Sequence, residues 1–431
     1  MFGNLFIKNG SQLITCTGFK AKKGREMQDI GIIEDGAVLV QNGKITITGK
    51  TADIEAHLDR DALSLERFDT IDASGKIVLP GLVDSHTHLV FGGDRADEFI
   101  SRVHGMPYMD ILRQGGGILR TVEHTRNDPE KELAQRGMER LDAMLSFGIT
   151  TVEGKSGYGL DKETEMKQLE VMKTLHSFHP LDVVSTFLGA HAVPPSYRES
   201  SDTYLDFLLS SVMPKIRERN LADFCDIFCE AHVFSVDQSR RFLEAAKQMG
   251  FGLKFHADKL SSAGGAELAA SIGALSADHL LMASDKGIKA LADAGVVATL
   301  LPGTAFCLKQ PFARARFMID AGCAVALATD FNPGSCATYS APFIIALAVI
   351  YMGMTIEEAI TAFTINGAAA IGRSHLIGSI DPGKAGDLVV MDVPTISHIP
   401  YHTAINPVVI TIKGGNVVWR HQKGICYPTS R

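Results

Sequence analysis

Ile77-Val-Leu-Pro-Gly-Leu-Val-Asp-Ser-His86-Thr-His88 is an apolar run that closes on two histidines. Read as a β-strand, it turns successive side chains to opposite faces, so residues two apart point the same way and both imidazoles reach one side. That makes a platform for a single metal ion, and neutral imidazole suits Zn2+ or Fe2+. A His-x-His pair alone is common and reads equally well as two histidines of a surface loop. Here the apolar strand opened by Leu79-Pro-Gly-Leu-Val83 favours the ligand reading.

Seven more strand-like runs follow, at 150–155, 183–190, 224–230, 252–256, 274–279, 296–301 and 323–329. Helical patterns fall between them, for example at 130–147, 162–178, 235–249 and 284–294. Apolar strands separated by helices mean parallel βα units. Eight such units predict an α/β fold built on a closed (β/α)8 barrel, for which about 250 residues are typical. An open doubly wound sheet is the alternative, but no Gly-rich dinucleotide fingerprint supports it. The chain ends have another texture, of short strands and tight turns, with hairpin signals at Asn42-Gly43 and Gly414-Gly415. Neither end holds enough strands for a sheet of its own. The expected organisation is therefore a barrel over 76–374 and one small β-sandwich domain built from both chain ends, 1–75 and 375–431.

In such a barrel, catalytic groups sit at the C-terminal ends of the strands. Those ends read His86-Thr-His88, Glu153-Gly-Lys155-Ser-Gly-Tyr158, Gly189-Ala-His191, Glu230-Ala-His232, Lys254-Phe-His256-Ala-Asp258-Lys259, Asp278-His279 and Thr329-Asp330-Phe-Asn332-Pro-Gly334-Ser335. Histidine at five strand ends is hard to explain by packing. A catalytic zinc usually takes three protein ligands and leaves a position for water. His256 offers the third nitrogen, and Asp330 an acidic group that both touches the metal and takes a proton. The plainer readings are a core histidine at 256 and a helix-capping aspartate at 330. Cys225 and Cys229 look like a metal pair at first, but they lie in an apolar run and read better as buried thiols.

Composition narrows the remaining classes. At 431 residues with 45% apolar, the chain has ample material for a large core. The net charge of −7 and the lack of any Lys/Arg block argue against a nucleic-acid partner. No apolar run is long enough for a membrane span, and the first residues carry no secretion signal pattern. Seven cysteines at irregular spacing do not make a disulfide framework, so the reducing cytoplasm is the expected compartment.

The motif from Leu79 to His88 resembles the strand-one metal motif of the amidohydrolase superfamily, whose one-metal arrangement His256, His279 and Asp330 complete. The closer resemblance is to the branch that opens an imidazolone ring. It rests on His86-Thr-His-Leu-Val-Phe-Gly-Gly-Asp-Arg95, Glu153-Gly-Lys-Ser-Gly-Tyr-Gly159, Gly189-Ala-His191, Thr329-Asp-Phe-Asn-Pro-Gly-Ser335 and Gly115-Gly-Gly-Ile118, and runs from about Val38 to Trp419. The Gly115 segment lacks the Lys-Ser/Thr of a phosphate loop. The resemblance implies one divalent ion, Zn2+ or Fe2+, on His86, His88, His256 and Asp330. It implies catalytic roles for Asp330 and His279, substrate contacts from Arg95, Tyr158, His191, Asn332, Gly334 and Ser335, and a homodimer. The implied small-molecule substrate is 4-imidazolone-5-propanoate. Arg95 suits its carboxylate tail; a surface ion pair with Asp94, Asp97 or Glu98 is the plainer reading. One position departs from the pattern: Lys259 stands where the family often has Glu or Gln. A lysine is a poor proton shuttle at neutral pH, so Lys259 is expected to attract the substrate carboxylate or to face solvent. The same departure argues against the runner-up, a guanine deaminase-like aminohydrolase. A catalytically inactive barrel scaffold is the third reading, and intact ligand motifs oppose it.

Overall fold

A computed structural model describes residues 3–60, 67–106, 110 and 115–421; Cys426 lies outside them. The N-terminal region supplies β1 (Leu5–Ile14), β2 (Ile32–Gln41), β3 (Lys44–Lys50), β4 (Asp69–Asp72) and β5 (Ile77–Pro80). Eight strands then alternate with helices: β6 (Leu82–Thr87), β7 (Ile149–Lys155), β8 (Asp182–Ala190), β9 (Phe224–Cys229), β10 (Gly252–Ala257), β11 (Ser276–His279), β12 (Val297–Leu300) and β13 (Val325–Leu327). The C-terminal region adds β14 (Leu388–Met391), β15 (Val408–Lys413) and β16 (Asn416–Arg420).

Strands β6 to β13 pair in sequence order, all parallel. The ring closes through a parallel bridge between Thr87 and Phe331. His88 N donates to Phe331 O at 2.9 Å, and Asp330 N donates to His86 O at 3.0 Å. The closing seam thus runs through three of the residues read as metal ligands. The expected helices form at Glu130–Ser146, Lys162–Phe178, Val236–Gln248 and Asp285–Ala294. Ser235 opens the third with a reciprocal cap, its hydroxyl accepting from Gln238 N while Gln238 reaches back. Among the described residues no helix is long and apolar enough to cross a membrane.

The chain ends meet in one eight-stranded sheet of order β16-β15-β14-β5-β1-β2-β3, with β4 beside β1. Its inner face gathers Leu5, Ile7, Leu13, Val38, Val40, Ile45, Leu388, Val390 and Ile412 into one cluster. An antiparallel bridge from Lys44 to Ala385 brings the far edge back toward the C-terminal strands. The sandwich-like core is therefore a single sheet curled over itself. Both turn signals hold. Asn42 and Gly43 have φ of 50° and 77° between paired Gln41 and Lys44, as a type I′ turn needs.

One expectation needs correcting. The run from Ile77 to His88 is two strands, not one: β5 pairs antiparallel with β14, and only β6 enters the barrel, beside β7. Pro80 has no N–H to continue a ladder. Gly81 N donates to Asp387 O at 2.9 Å and turns the chain from one sheet to the other. The backbone of Gly81 lies against Thr150, whose Cγ2 and Cβ would be 2.6 and 2.9 Å from an added Cβ. Gly81→Ala is therefore expected to cost about 1–3 kcal/mol through overpacking, read as a lower urea midpoint. Thr150→Ala in the same chain should return part of it. An unchanged midpoint in Gly81→Ala would remove this constraint.

Candidate metal centre

The barrel interior carries charge where apolar packing is the norm. Glu153 and Lys155 on β7, Asp226 on β9, Lys254 on β10 and Asp278 on β11 are all fully buried. Ions so placed persist only when paired. Lys155 Nζ lies 2.9 Å from Glu153 Oε1, 2.8 Å from Asp226 Oδ2 and 3.4 Å from Asp278 Oδ2. Lys254 Nζ lies 3.0 Å from Glu153 Oε2 and donates to Ser85 O and Ala370 O. Burial works against the Lys155 ammonium, but the three carboxylates outweigh it and raise its pKa. The Asp278 carboxyl is raised by burial and then brought below its usual range by Lys254 and Lys155.

Two of these carboxylates grip histidines. Asp278 Oδ2 is 2.6 Å from His86 Nδ1, and Asp226 Oδ2 is 2.8 Å from His256 Nδ1. Burial raises the Asp226 carboxyl against the pull of Lys155; with both aspartates ionised, each Nδ1 carries the proton and each Nε2 keeps its lone pair. Neither Nε2 has a hydrogen-bond partner, although both are buried. Such orphans in a buried polar site need an explanation, and a metal ion supplies one. His86 Nε2 and His88 Nε2 lie 3.5 and 3.6 Å from the same Asp330 Oδ1. Ligand atoms of His86, His88 and Asp330 fall within 4.8 Å of one another, as do those of His86, His256 and His279. Burial, then neighbouring Lys155 or other imidazoles, pushes His86, His88 and His256 well below the usual histidine pKa, toward the neutral ligand form. The donor set of imidazoles and one carboxylate fits Zn2+ or Fe2+.

Asp330 is no helix cap: it sits at φ 52° on the barrel seam, where its Oδ2 accepts from Thr304 Oγ1 at 2.5 Å. Burial raises its carboxyl, against the pull of Lys259. His279, at φ 77°, has both ring nitrogens unpartnered and is held neutral by burial and Lys259. Asp258 and Leu280 share the left-handed backbone, with φ of 48° and 57°. Non-glycine residues in that region cluster at working sites.

The remaining residues surround this centre. His191 stacks on His88 at 5.0 Å and 11°, with Tyr158 5.4 Å from it. Its Nδ1 meets Gly157 O, and burial followed by Lys259 lowers its pKa to about 4. Lys259 Nζ lies 5.8 Å from the Phe228 ring, and burial lowers its pKa. Arg95 forms the ion pair of its plainer reading, with Glu98. Its Nε pairs with Glu98 Oε2 at 2.9 Å, and its terminal nitrogens pack on Gly334, where a Cβ would collide with them. Arg95, Gly334 and Ser335 line a cavity of about 540 Å3. Asn332 turns inward to its own loop: Oδ1 accepts from Gly334 N and Ser335 N, and Nδ2 donates to Asp330 O. His232 is exposed and stays outside the cluster. Cys225 and Cys229 are buried thiols. Thr304 and Asp226 are the residues not anticipated, and Glu153, Lys155, Lys254 and Asp278 stood among the strand ends without a role. A charged side chain within an otherwise apolar strand, as in Phe224-Cys-Asp226-Ile-Phe-Cys229, was the available signal.

The amidohydrolase family model matches residues 77–418. The imidazolonepropionase of Clostridium tetani is 56% identical over 418 residues, covering 97% of this chain and 99% of the relative. That of Parabacteroides distasonis is 54% identical over 413 residues, covering 96% and 98%. Among solved structures, an adenosine deaminase from Xanthomonas campestris with bound zinc superposes with a TM-score of 0.69 at 20% identity, over 96% of this chain and 92% of that one. E. coli guanine deaminase does so with 0.69 at 15%, over 97% and 100%. At that distance the likeness to the deaminases shows the fold alone. The chain belongs to the amidohydrolase family of hydrolases and, within it, to the imidazolonepropionases.

Proposed function

We propose that this chain hydrolyses the cyclic amide of 4-imidazolone-5-propanoate to N-formimidoyl-L-glutamate, with one divalent ion, Zn2+ or Fe2+, held by His86, His88, His256 and Asp330. The observation that carries it is the convergence of His86 Nε2 and His88 Nε2 on Asp330 Oδ1 beside the unpartnered Nε2 of His256. When bound, the ion supplies Lewis acidity and lowers the pKa of a water toward neutrality.

Asp330 takes the proton of the attacking water as general base, its carboxylate steadied by Thr304. His279 is neutral, and its single ring N–H faces the oxygen on which negative charge develops. Asp330 then returns the proton to the leaving ring nitrogen. The terminal nitrogens of Arg95 bind the propanoate, with Glu98 fixing the other side of the guanidinium. Tyr158 and His191 hold the ring. Asn332 shapes the loop that presents Gly334 and Ser335, and Lys259 attracts the substrate's carboxylate. The reading includes a homodimer in the cytoplasm, the compartment that the sparse, irregular cysteines favour.

Ultraviolet monitoring of imidazolonepropanoate with fully reconstituted protein tests the reaction, and elemental analysis tests the ion count. One equivalent per chain is expected. A second ion in this superfamily uses a modified lysine at the end of strand four. Here that position is Glu230, which accepts from Leu260 N at 2.8 Å and from Ser261 Oγ. A loaded chain that leaves the substrate intact, or activity that tracks a second equivalent, would sink the proposal.

Arg95→Ala should raise KM by the loss of a charge-assisted pair, about 1.5–3 kcal/mol. Arg95→Lys should restore only part, because the flat fork is gone. An unchanged KM in Arg95→Ala leaves Arg95 as the partner of Glu98 alone.

Asp330→Asn should cost at least the ~100-fold in kcat expected of a lost general base, with one ion still bound. Lys259→Gln should leave kcat within about tenfold, or about 1.4 kcal/mol. If the Gln variant collapses while Asp330→Asn stays active, the proton travels through the loop after β10 and the base is misassigned.

A further inference from the structure

Lys155 is buried between β7, β9 and β11, and its partners are carboxylates. Two of them, Asp226 and Asp278, are the acceptors on Nδ1 of His256 and His86. Both aspartates turn the same oxygen, Oδ2, to Lys155 and to the imidazole. Their other oxygens are fixed by local donors: Asp226 Oδ1 by Ile227 N and His256 N, Asp278 Oδ1 by Ser276 Oγ. Glu153 holds Lys155 from its own strand and is itself held by Thr186 and Lys254. An ammonium has three donors to spread over such a site.

We propose that Lys155 is a positioning residue that sets metal affinity at a distance: one ammonium ties Asp226 and Asp278 together, so that both hold their histidines with Nδ1 protonated and Nε2 turned to a common point. It reaches the ion through two carboxylates and two imidazoles on four different strands, β6, β9, β10 and β11. Outer partners of this kind typically change metal affinity by about 10–100-fold when removed. This inference rests on the reading of His86 and His256 as ligands and assigns a residue that touches neither metal nor substrate.

The test uses the full chain loaded with Zn2+ and challenged with a graded chelator. Lys155→Met is expected to raise the Zn2+ dissociation constant about 10–100-fold. In 15N-histidine spectra of the metal-free chain, two rings should leave the uniform Nδ1–H form in the variant. A general loss of packing would lower thermal stability without selecting those rings. If Lys155→Met fails to fold, Lys155→Gln, which keeps donors but no charge, is read by the same two measurements. A wild-type chain that holds no ion overturns the metal reading and this one with it. A wild type holding one ion, with a folded Lys155 variant that holds it equally tightly, overturns this inference alone.

Discussion

An ammonium enclosed by three carboxylates at the centre of the barrel is the interaction on which the site depends. Lys155, Glu153, Asp226 and Asp278 come from three strands and are fully buried. Charges removed from water are costly, and their mutual attraction repays this only when geometry is good and the remaining lone pairs are used. Here Ser276, Thr186, Lys254 and backbone amides use them. The same carboxylates then orient imidazoles above them. The charge layer that closes the barrel floor also fixes which nitrogen of His86 and His256 is free.

Above that floor the backbone leaves ordinary strand geometry. His279 and Asp330 end β11 and follow β13 with positive φ, and Asp258 does the same after β10. Each turns its side chain where a regular strand would not. The seam bonds from Asp330 N to His86 O and from His88 N to Phe331 O tie the last strand to the first. The geometry that lets β13 meet β6 thus also carries Asp330 to 3.5 Å from His86.

The barrel was legible because eight apolar runs alternate with helical patterns, and four helices form where the periodicity puts them. The shared side of His86 and His88 was legible because strand parity puts residues two apart on one side. Three things were not. The break at Gly81 depends on which sheet each half of an apolar run joins, a tertiary choice that periodicity does not encode. His232 has the same sequence context as the useful histidines, yet it is exposed. The interior ions are single charges inside strands, and nothing local tells that Lys155 finds Asp226, 71 residues away. Asn332 is the converse case. Its place in Asp330-Phe-Asn332-Pro reads as a ligand contact, whereas its amide is spent on the loop that bears Gly334.

Electrostatics completes the description of the site. Two lysines act on the imidazoles. The charge of Lys155 opposes protonation of His86, His88 and His256. Lys259, just after β10, opposes protonation of His88, His191, His256 and His279. Both charges add to burial, which is the largest reason these rings are held below the usual histidine pKa. Protons compete with metal for imidazole lone pairs, so a site framed by fixed cations suppresses the competitor. A divalent ion feels the same repulsion, but it also gains the Asp330 carboxylate and several nitrogens at once, which a proton on one ring does not. Lys259, standing where the resemblance leads one to expect Glu or Gln, thus adds to the repulsion of protons.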